Sequence, residues 1–117
     1  MEKLFEGEYK LMEVLWEAGP VNSTRLVELC RGKLGWNKST TYTVLRRLKA
    51  KGAVRHEDTV AAPLWTREQV VREEGGELAA KAGGVDPFLT AFLSGRKLTA
   101  EEAEELKRLI DEKMGEG

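Results

Sequence analysis

Hydroxyl and guanidinium side chains are concentrated in the segment from Asn37 to Lys51. If this segment is helical, Val44, Leu45 and Leu48 share one face, and the polar side chains lie on the opposite face. Hydroxyl groups donate and accept hydrogen bonds, threonine methyl groups contact thymine methyl groups, and guanidinium groups bind phosphates and base edges. The outward set is Ser39, Thr40, Tyr42, Thr43, Arg46 and Arg47. This chemistry is typical of a helix that lies in the DNA major groove.

The members of this outward set have different expected partners. Ser39, Thr40 and Thr43 lie in the first turns, where a recognition helix meets base edges. The longer side chains of Tyr42, Arg46 and Arg47 are better placed for phosphates or the edges of bases. Further contacts with the DNA backbone are expected at both ends of this helix, in the hairpin that follows and at the start of the preceding helix. These residues are Lys38, Lys51, Arg55, Ser23, Thr24 and Arg25.

Charge is distributed unevenly along the chain. The net charge of the 117 residues is −1. Between Asn22 and Arg67, however, ten basic and three acidic side chains give +7, whereas the segment from Glu68 onward carries −5. A basic region of this kind is expected of a phosphate-binding surface, although charge alone does not distinguish it from a solvated basic face.

Capping residues predict three consecutive helices around this basic region. Apolar residues from Leu11 to Trp16 mark a first helix that ends near Ala18, before Gly19-Pro20. Asn22 is a suitable N-cap for a second helix, which Gly35 ends. Asn37 can cap the third helix, and Gly52 ends it.

The residues after the third helix predict a β-hairpin. Two short strands, Ala53–Glu57 and Pro63–Arg67, are expected around a turn at Asp58–Ala62, with Pro63 at a strand start or edge. Three helices followed by a small hairpin are the arrangement of a winged helix-turn-helix. The expected fold is mainly α, with a DNA-binding domain over residues 1–68.

Residues 69–117 are expected to form a helical dimerisation region. A helix is predicted from Glu68 to Ala82, a second opens with Asp86 as N-cap and Pro87 at its first position, and Thr99 with Glu102 forms a capping box for the last. Their apolar side chains are expected to pack against a second copy of the chain. The alternative is packing onto the first helix. The residues concerned are Phe88, Leu89, Phe92, Leu93, Leu106, Leu109 and Ile110.

Other functional classes lack their characteristic residues. Cys30 and His56 are the only residues of their types, so no metal site or disulfide is expected. No phosphate-binding loop, nucleophile elbow or other catalytic pattern is present, and neither enzymatic activity nor a cofactor is expected. The acidic N-terminus is unlike a signal peptide, and no apolar run is long enough to span a bilayer, so we expect a cytoplasmic protein.

Three segments resemble the penicillinase repressor (BlaI/MecI) family of winged-helix regulators. They are Leu11–Trp16, the block from Gly35-Trp36 through Thr40–Leu48 to Lys51-Gly52, and Leu98–Leu106. The central block is the specific one. The resemblance implies a homodimer that binds a palindromic double-stranded operator and represses transcription.

The resemblance also implies a means of release. A membrane sensor system triggers cleavage of the repressor in its dimerisation region, and the matching bond here is Ala91–Phe92, where the repressors of staphylococcal resistance carry asparagine in place of Ala91. Copper-responsive relatives carry a C-terminal cysteine cluster, which this sequence lacks. Two other functions remain open from the residues: a ligand-sensing regulator, and a winged-helix module that binds a partner protein.

Overall fold

The computed structural model describes residues 1–116. The elements in chain order are α1 (Glu6–Ala18), β1 (Val21–Asn22), α2 (Ser23–Leu34), α3 (Lys38–Lys51), β2 (Val54–Glu57), β3 (Val60–Pro63), α4 (Arg67–Ala82), α5 (Val85–Leu93) and α6 (Ala100–Glu116). The first six, together with the start of α4, build a winged helix-turn-helix, which confirms the predicted fold class.

Capping interactions fix the bounds of α2 and α3. The side chain of Asn22 accepts a hydrogen bond from the Thr24 amide at 2.9 Å, and that of Asn37 accepts one from the Thr40 amide at 2.8 Å. At the other ends, Gly35 and Gly52 adopt left-handed conformations with φ of 69° and 81°. Because glycine has no Cβ, it takes this conformation at little cost. Both helices therefore lie where the sequence predicts them.

The core of the winged helix-turn-helix is formed by apolar side chains from each of its helices. Leu11 and Leu15 of α1 pack in one buried cluster with Leu26 of α2 and with Leu45 and Leu48 of α3. Burying each of these side chains contributes about 1.5–3 kcal/mol. This cluster holds α3 by one face and leaves its other face in solvent.

The wing differs from the prediction in its second strand. That strand is Val60–Pro63 and not Pro63–Arg67, because the turn contains only Asp58 and Thr59, with φ of 50° and 65°. Two such residues form the tight turn whose twist suits a hairpin. Pro63 therefore ends β3, paired with Val54, and does not start it.

The sheet also contains a strand that the sequence analysis missed. The two-residue β1 pairs with β3, so β3 is central in the order β1-β3-β2. Ala61 and Ala62 of β3 are buried. Small side chains fit close to the core there, although alanine is a weak indicator of a strand.

The chain forms two compact units, Met1–Glu77 and the residues from Leu78 onward. Their boundary lies inside α4, after the predicted boundary between residues 68 and 69. The start of α4 belongs to the first unit because Val70 is fully buried in its core and Glu74 accepts a hydrogen bond from the Leu4 amide at 3.3 Å.

The second unit contains α5 and α6. Gly84, with φ of 128°, is the N-cap of α5, so the helix begins at Val85 and Pro87 is its third residue. Asp86 is therefore not the cap that the sequence analysis predicted. Proline is tolerated in the first turn because its missing N–H would have no helical partner there. The capping box of α6 is confirmed by reciprocal hydrogen bonds between Thr99 and Glu102 at 3.0 and 3.1 Å.

Candidate nucleic-acid interface

The recognition face of α3 is defined by the side that the core leaves free. Thr41, Val44, Leu45 and Leu48 are buried. Ser39, Thr40, Arg46 and Arg47 are exposed, and Tyr42 and Thr43 are half-buried. The six side chains predicted to face outward therefore all retain exposed surface.

Three residues lie at the centre of this face. At 100° per residue, Ser39, Thr43 and Arg46 are the polar side chains that point most directly away from the buried side of the helix. The Arg46 guanidinium donates to the Thr43 hydroxyl at 3.5 Å and has no acidic partner among the residues that the structure describes. A guanidinium and two hydroxyl groups are thus available at the helix centre for hydrogen bonds to an external partner.

The wing is tied to one side of α3. The ring centroid of Tyr42 lies 6.4 Å from that of His56 on β2, and the Lys49 ammonium donates to the His56 carbonyl at 3.3 Å. Lys38 lies 5.9 Å from the centre of the Tyr42 ring. Lys49 is exposed at the last turn of α3 and belongs to the basic segment, but it is not among the residues predicted to contact DNA.

The start of α2 is joined to the turn of the wing. Ser23 is buried, and its amide donates to the Thr59 carbonyl at 2.7 Å. Thr24 and Arg25 are exposed, with Arg25 in an ion pair to Glu28 at 3.0 Å. Of the three residues predicted here to hold the DNA backbone, Ser23 therefore contributes a structural contact, and the other two present accessible polar groups.

Arg55 and Lys51, which are also predicted to contact the DNA backbone, have different surroundings. Arg55 of β2 is exposed. The Lys51 ammonium instead lies 2.5 Å from a carboxylate oxygen of Glu8, and the side chains are only 12% and 4% exposed. Lys51 thus points towards α1, and we leave it out of the candidate interface. Nothing in the local sequence indicates this pair because its members are 43 residues apart.

The apolar residues predicted for dimerisation remain accessible in the second unit. No residue of α5 is buried. Phe88 stacks on Phe92 with ring centroids 5.9 Å apart, and the Arg96 guanidinium lies 4.5 Å from the centre of the Phe92 ring. Further apolar side chains that are at least about one-third exposed are Leu89, Leu106, Leu109 and Ile110, while Leu93 is half-buried. The Ala91–Phe92 bond lies inside α5, and both residues are exposed.

Three further features of the described residues concern metal binding, membrane insertion and the single thiol. Across residues 1–116, no group of three or more histidine, cysteine or acidic side chains is placed to hold a metal ion. In the same range, no helix is both long and apolar enough to cross a bilayer. Cys30 is buried in the core; burial raises the pKa of its thiol, and a hydrogen bond with Thr41 opposes that rise.

Comparison with known proteins places the chain in a family. Residues 5–112 match the family model described as penicillinase repressor. A penicillinase repressor of Bacillus licheniformis is 23% identical over 119 residues, which cover 94% of this chain and 91% of that protein. An uncharacterised 16.5 kDa protein from the ptsI 3′ region of Latilactobacillus sakei is 38% identical over 51 residues, 44% of this chain but only 35% of that protein.

A solved structure agrees with the fold of the first unit. The solution structure of the DNA-binding domain of the repressor BlaI matches with a TM-score of 0.50 and 26% identity, over 59% of this chain and 93% of that domain. The chain belongs to the penicillinase repressor family, as its sequence predicts, and is a winged-helix, DNA-binding repressor of that family.

Proposed function

We propose that this protein represses transcription by placing α3 in the major groove of an operator duplex. The observation that carries the proposal is the exposed face of α3, where Ser39, Thr43 and Arg46 point outward from a helix whose other side is fixed in the core. Hydroxyl and guanidinium groups on such a helix match the donors and acceptors that base pairs present in that groove. Thr40 extends the same set at the first turn.

Phosphate contacts flank this face in the proposed complex. Lys38, Arg47 and Arg55 are exposed around α3 and in the wing. Thr24 and Arg25 lie at the start of α2, where the helix dipole favours an anion. Tyr42 lies on the side of α3 next to His56 of the wing, and in the proposed complex its hydroxyl contacts a phosphate or a base edge. These contacts set the position of the protein on the duplex and make its affinity depend on salt.

We further propose that two copies of the chain join through α5 and α6. The accessible apolar side chains there, including Phe92 and Ile110, would be costly to leave in water. A twofold interface brings the same surface from each copy together, and the operator is then palindromic. Its half-sites are separated by a whole number of turns, at about 10 bp per turn. The proposed repressor acts in the cytoplasm.

Release of the operator by proteolysis is the final part of the proposal. Cleavage of the Ala91–Phe92 bond, triggered by a membrane sensor system, would divide α5 and remove α6 from the repressor. The bond lies in a short helix preceded by two glycines with positive φ, so local unfolding can expose it to a protease. Repression is then lost because each DNA-binding domain is left with a single half-site.

Binding to selected DNA tests the proposed function. Duplexes enriched from a random library on the full chain are expected to contain an inverted repeat, and their binding should show a steep dependence on salt. Sedimentation velocity is expected to find two chains on each duplex. Failure to enrich any sequence, or enrichment of a site without twofold symmetry, would contradict the corresponding part of the proposal.

A further inference from the structure

The last residue of α3 is enclosed by the residues around the start of α1. The Lys51 ammonium lies 2.5 Å from Glu8 Oε1 and 2.7 Å from the Lys3 carbonyl oxygen, and it lies 4.6 Å from the centre of the Phe5 ring. A carboxylate, a carbonyl and an aromatic face therefore satisfy the cation. The protein therefore positions this lysine, with its ammonium directed towards Glu8 of α1.

Glu8 connects the same cation to the start of α1. Its Oε1 atom also accepts a hydrogen bond from the Phe5 amide at 2.8 Å, an amide that precedes the helix and has no helical partner. The Glu8 side chain is only 4% exposed, and a buried charge without a partner is costly, so the ion pair with Lys51 stabilises this arrangement. The C-terminal end of α3 is consequently held to the N-terminal end of α1 through one oxygen atom.

This link acts on one side of the recognition helix. Thr40, Arg47 and Lys51 recur at intervals of seven and four residues, so they lie on one side of α3, and Lys51 at its end contacts Glu8 of α1. Lys49 lies on the other side, where it donates to the His56 carbonyl of the wing. Lys51, which is only 12% exposed, therefore restrains the last turn of α3 against the start of α1, whereas Lys49 is exposed on the opposite side of that turn.

We propose that Lys51 and Glu8 are positioning residues for sequence recognition by α3, an inference that rests on the proposed DNA binding. Contacts with base edges require placement within about 0.5 Å, and Thr40 lies about 16 Å along the helix from Lys51. A small rotation or tilt at the last turn therefore displaces the base-contacting side chains. Long basic side chains adjust to such a shift, so phosphate contacts persist.

The test compares the full-length wild-type chain with Lys51→Met, Glu8→Gln and the double variant. Fluorescence anisotropy measures the dissociation constant for a duplex selected from a random library and for a scrambled duplex of equal length, over a range of salt concentrations. We expect each single variant to lose about 5-fold or more in affinity for the selected duplex, comparable with one base contact. Affinity for the scrambled duplex and the salt dependence should not change.

The double variant and one further variant, Lys51→Arg, sharpen the comparison. The double variant should lose no more than either single variant because both residues act through one link. Lys51→Arg keeps the positive charge and should retain most of the difference in affinity between the selected and the scrambled duplex. Glu8→Gln retains an acceptor for the Phe5 amide, so it provides a readout even if Lys51→Met does not fold.

Lys49→Met is the matched control because it removes the same charge from the same turn. This variant should lower the affinity for the selected and the scrambled duplex by the same factor. The slope of log affinity against log salt should decrease by about 0.9 for each phosphate that the variant no longer neutralises. Lys51→Met behaving in this way would identify Lys51 as a phosphate ligand and overturn the proposal.

Two other outcomes would also overturn the proposal. One is a lower melting temperature with an unchanged ratio of selected to scrambled affinity, which would make the link only structural. The other is a wild-type chain that binds neither duplex, which would refute the proposed function itself. The wild-type titration distinguishes these two cases.

Discussion

Replacing Arg46 with alanine is the most direct perturbation of the proposed interface. The side chain is exposed at the centre of the α3 face, and its only hydrogen bond within the described residues is to the Thr43 hydroxyl at 3.5 Å. Arg46 is not among the residues of α3 that pack in the core, so we expect the substitution to leave the core packing unchanged. Alanine also favours the helix. A change in DNA binding would therefore report the absence of the guanidinium and not altered folding.

The expected size of the effect follows from the number of half-sites. A guanidinium that makes a bidentate contact in the major groove contributes about 1–3 kcal/mol. A dimer contains this residue twice, so the loss is about 2–6 kcal/mol, and affinity falls from about 30-fold to more than 10⁴-fold. The slope of log affinity against log salt should also decrease, because two positive charges leave the interface.

The assay is a salt titration of operator binding by fluorescence anisotropy. Arg31→Ala is the control, since Arg31 is exposed near the end of α2 and its replacement removes an equal charge from a helix end outside the proposed interface. We expect the control to change affinity far less than Arg46→Ala. Equal effects of the two substitutions, or an unchanged titration for Arg46→Ala, would refute the placement of α3 in the groove.

Three other predictions concern the dimer, the thiol and the unit boundary. Ile110→Asp places a charge on the apolar stripe of α6 and should produce monomers in sedimentation velocity; a dimer that persists at the same concentration would contradict the proposed interface. Because burial raises the pKa of Cys30, its thiolate is scarce near neutral pH and iodoacetamide should react slowly until the protein unfolds in urea; equal rates in both states would be inconsistent with this environment. A chain ending after Glu77 should melt several degrees above one ending after Glu68, because only the longer chain buries Val70 in the core. Each kcal/mol of stability raises the melting temperature of a domain of this size by about 4–8 °C. Equal melting temperatures would place the boundary between the two units before Val70.

Local chemistry made the helices of the first unit predictable from sequence. Asn22 and Asn37 satisfy amides within three residues of themselves, and Gly35 and Gly52 end their helices by adopting a conformation that other residues avoid. None of these interactions requires a distant partner. The outward face of α3 then follows from helical periodicity.

The features that sequence analysis missed depend on contacts between distant residues. β1 contains two residues and exists only because it pairs with β3. The strand boundary was misplaced because Ala61 and Ala62, which resemble turn or helix residues, are buried against the core. Lys51 was grouped with the phosphate contacts by its position and charge, whereas Glu8, far away in the sequence, determines its direction.

The division into two units gives the proposed mechanism a physical basis. A single winged helix that binds DNA with a dissociation constant of about 10⁻⁵ M gains from its partner an effective local concentration of about 10⁻³ M, so the dimer binds about 100-fold more tightly. Because the core of the first unit draws on residues up to Val70, a break at Ala91–Phe92 leaves that core complete. Proteolysis would therefore abolish repression by removing the second half-site while each DNA-binding domain stays folded. A cleaved protein that kept its melting transition but fell by about two orders of magnitude in operator affinity would be the expected product.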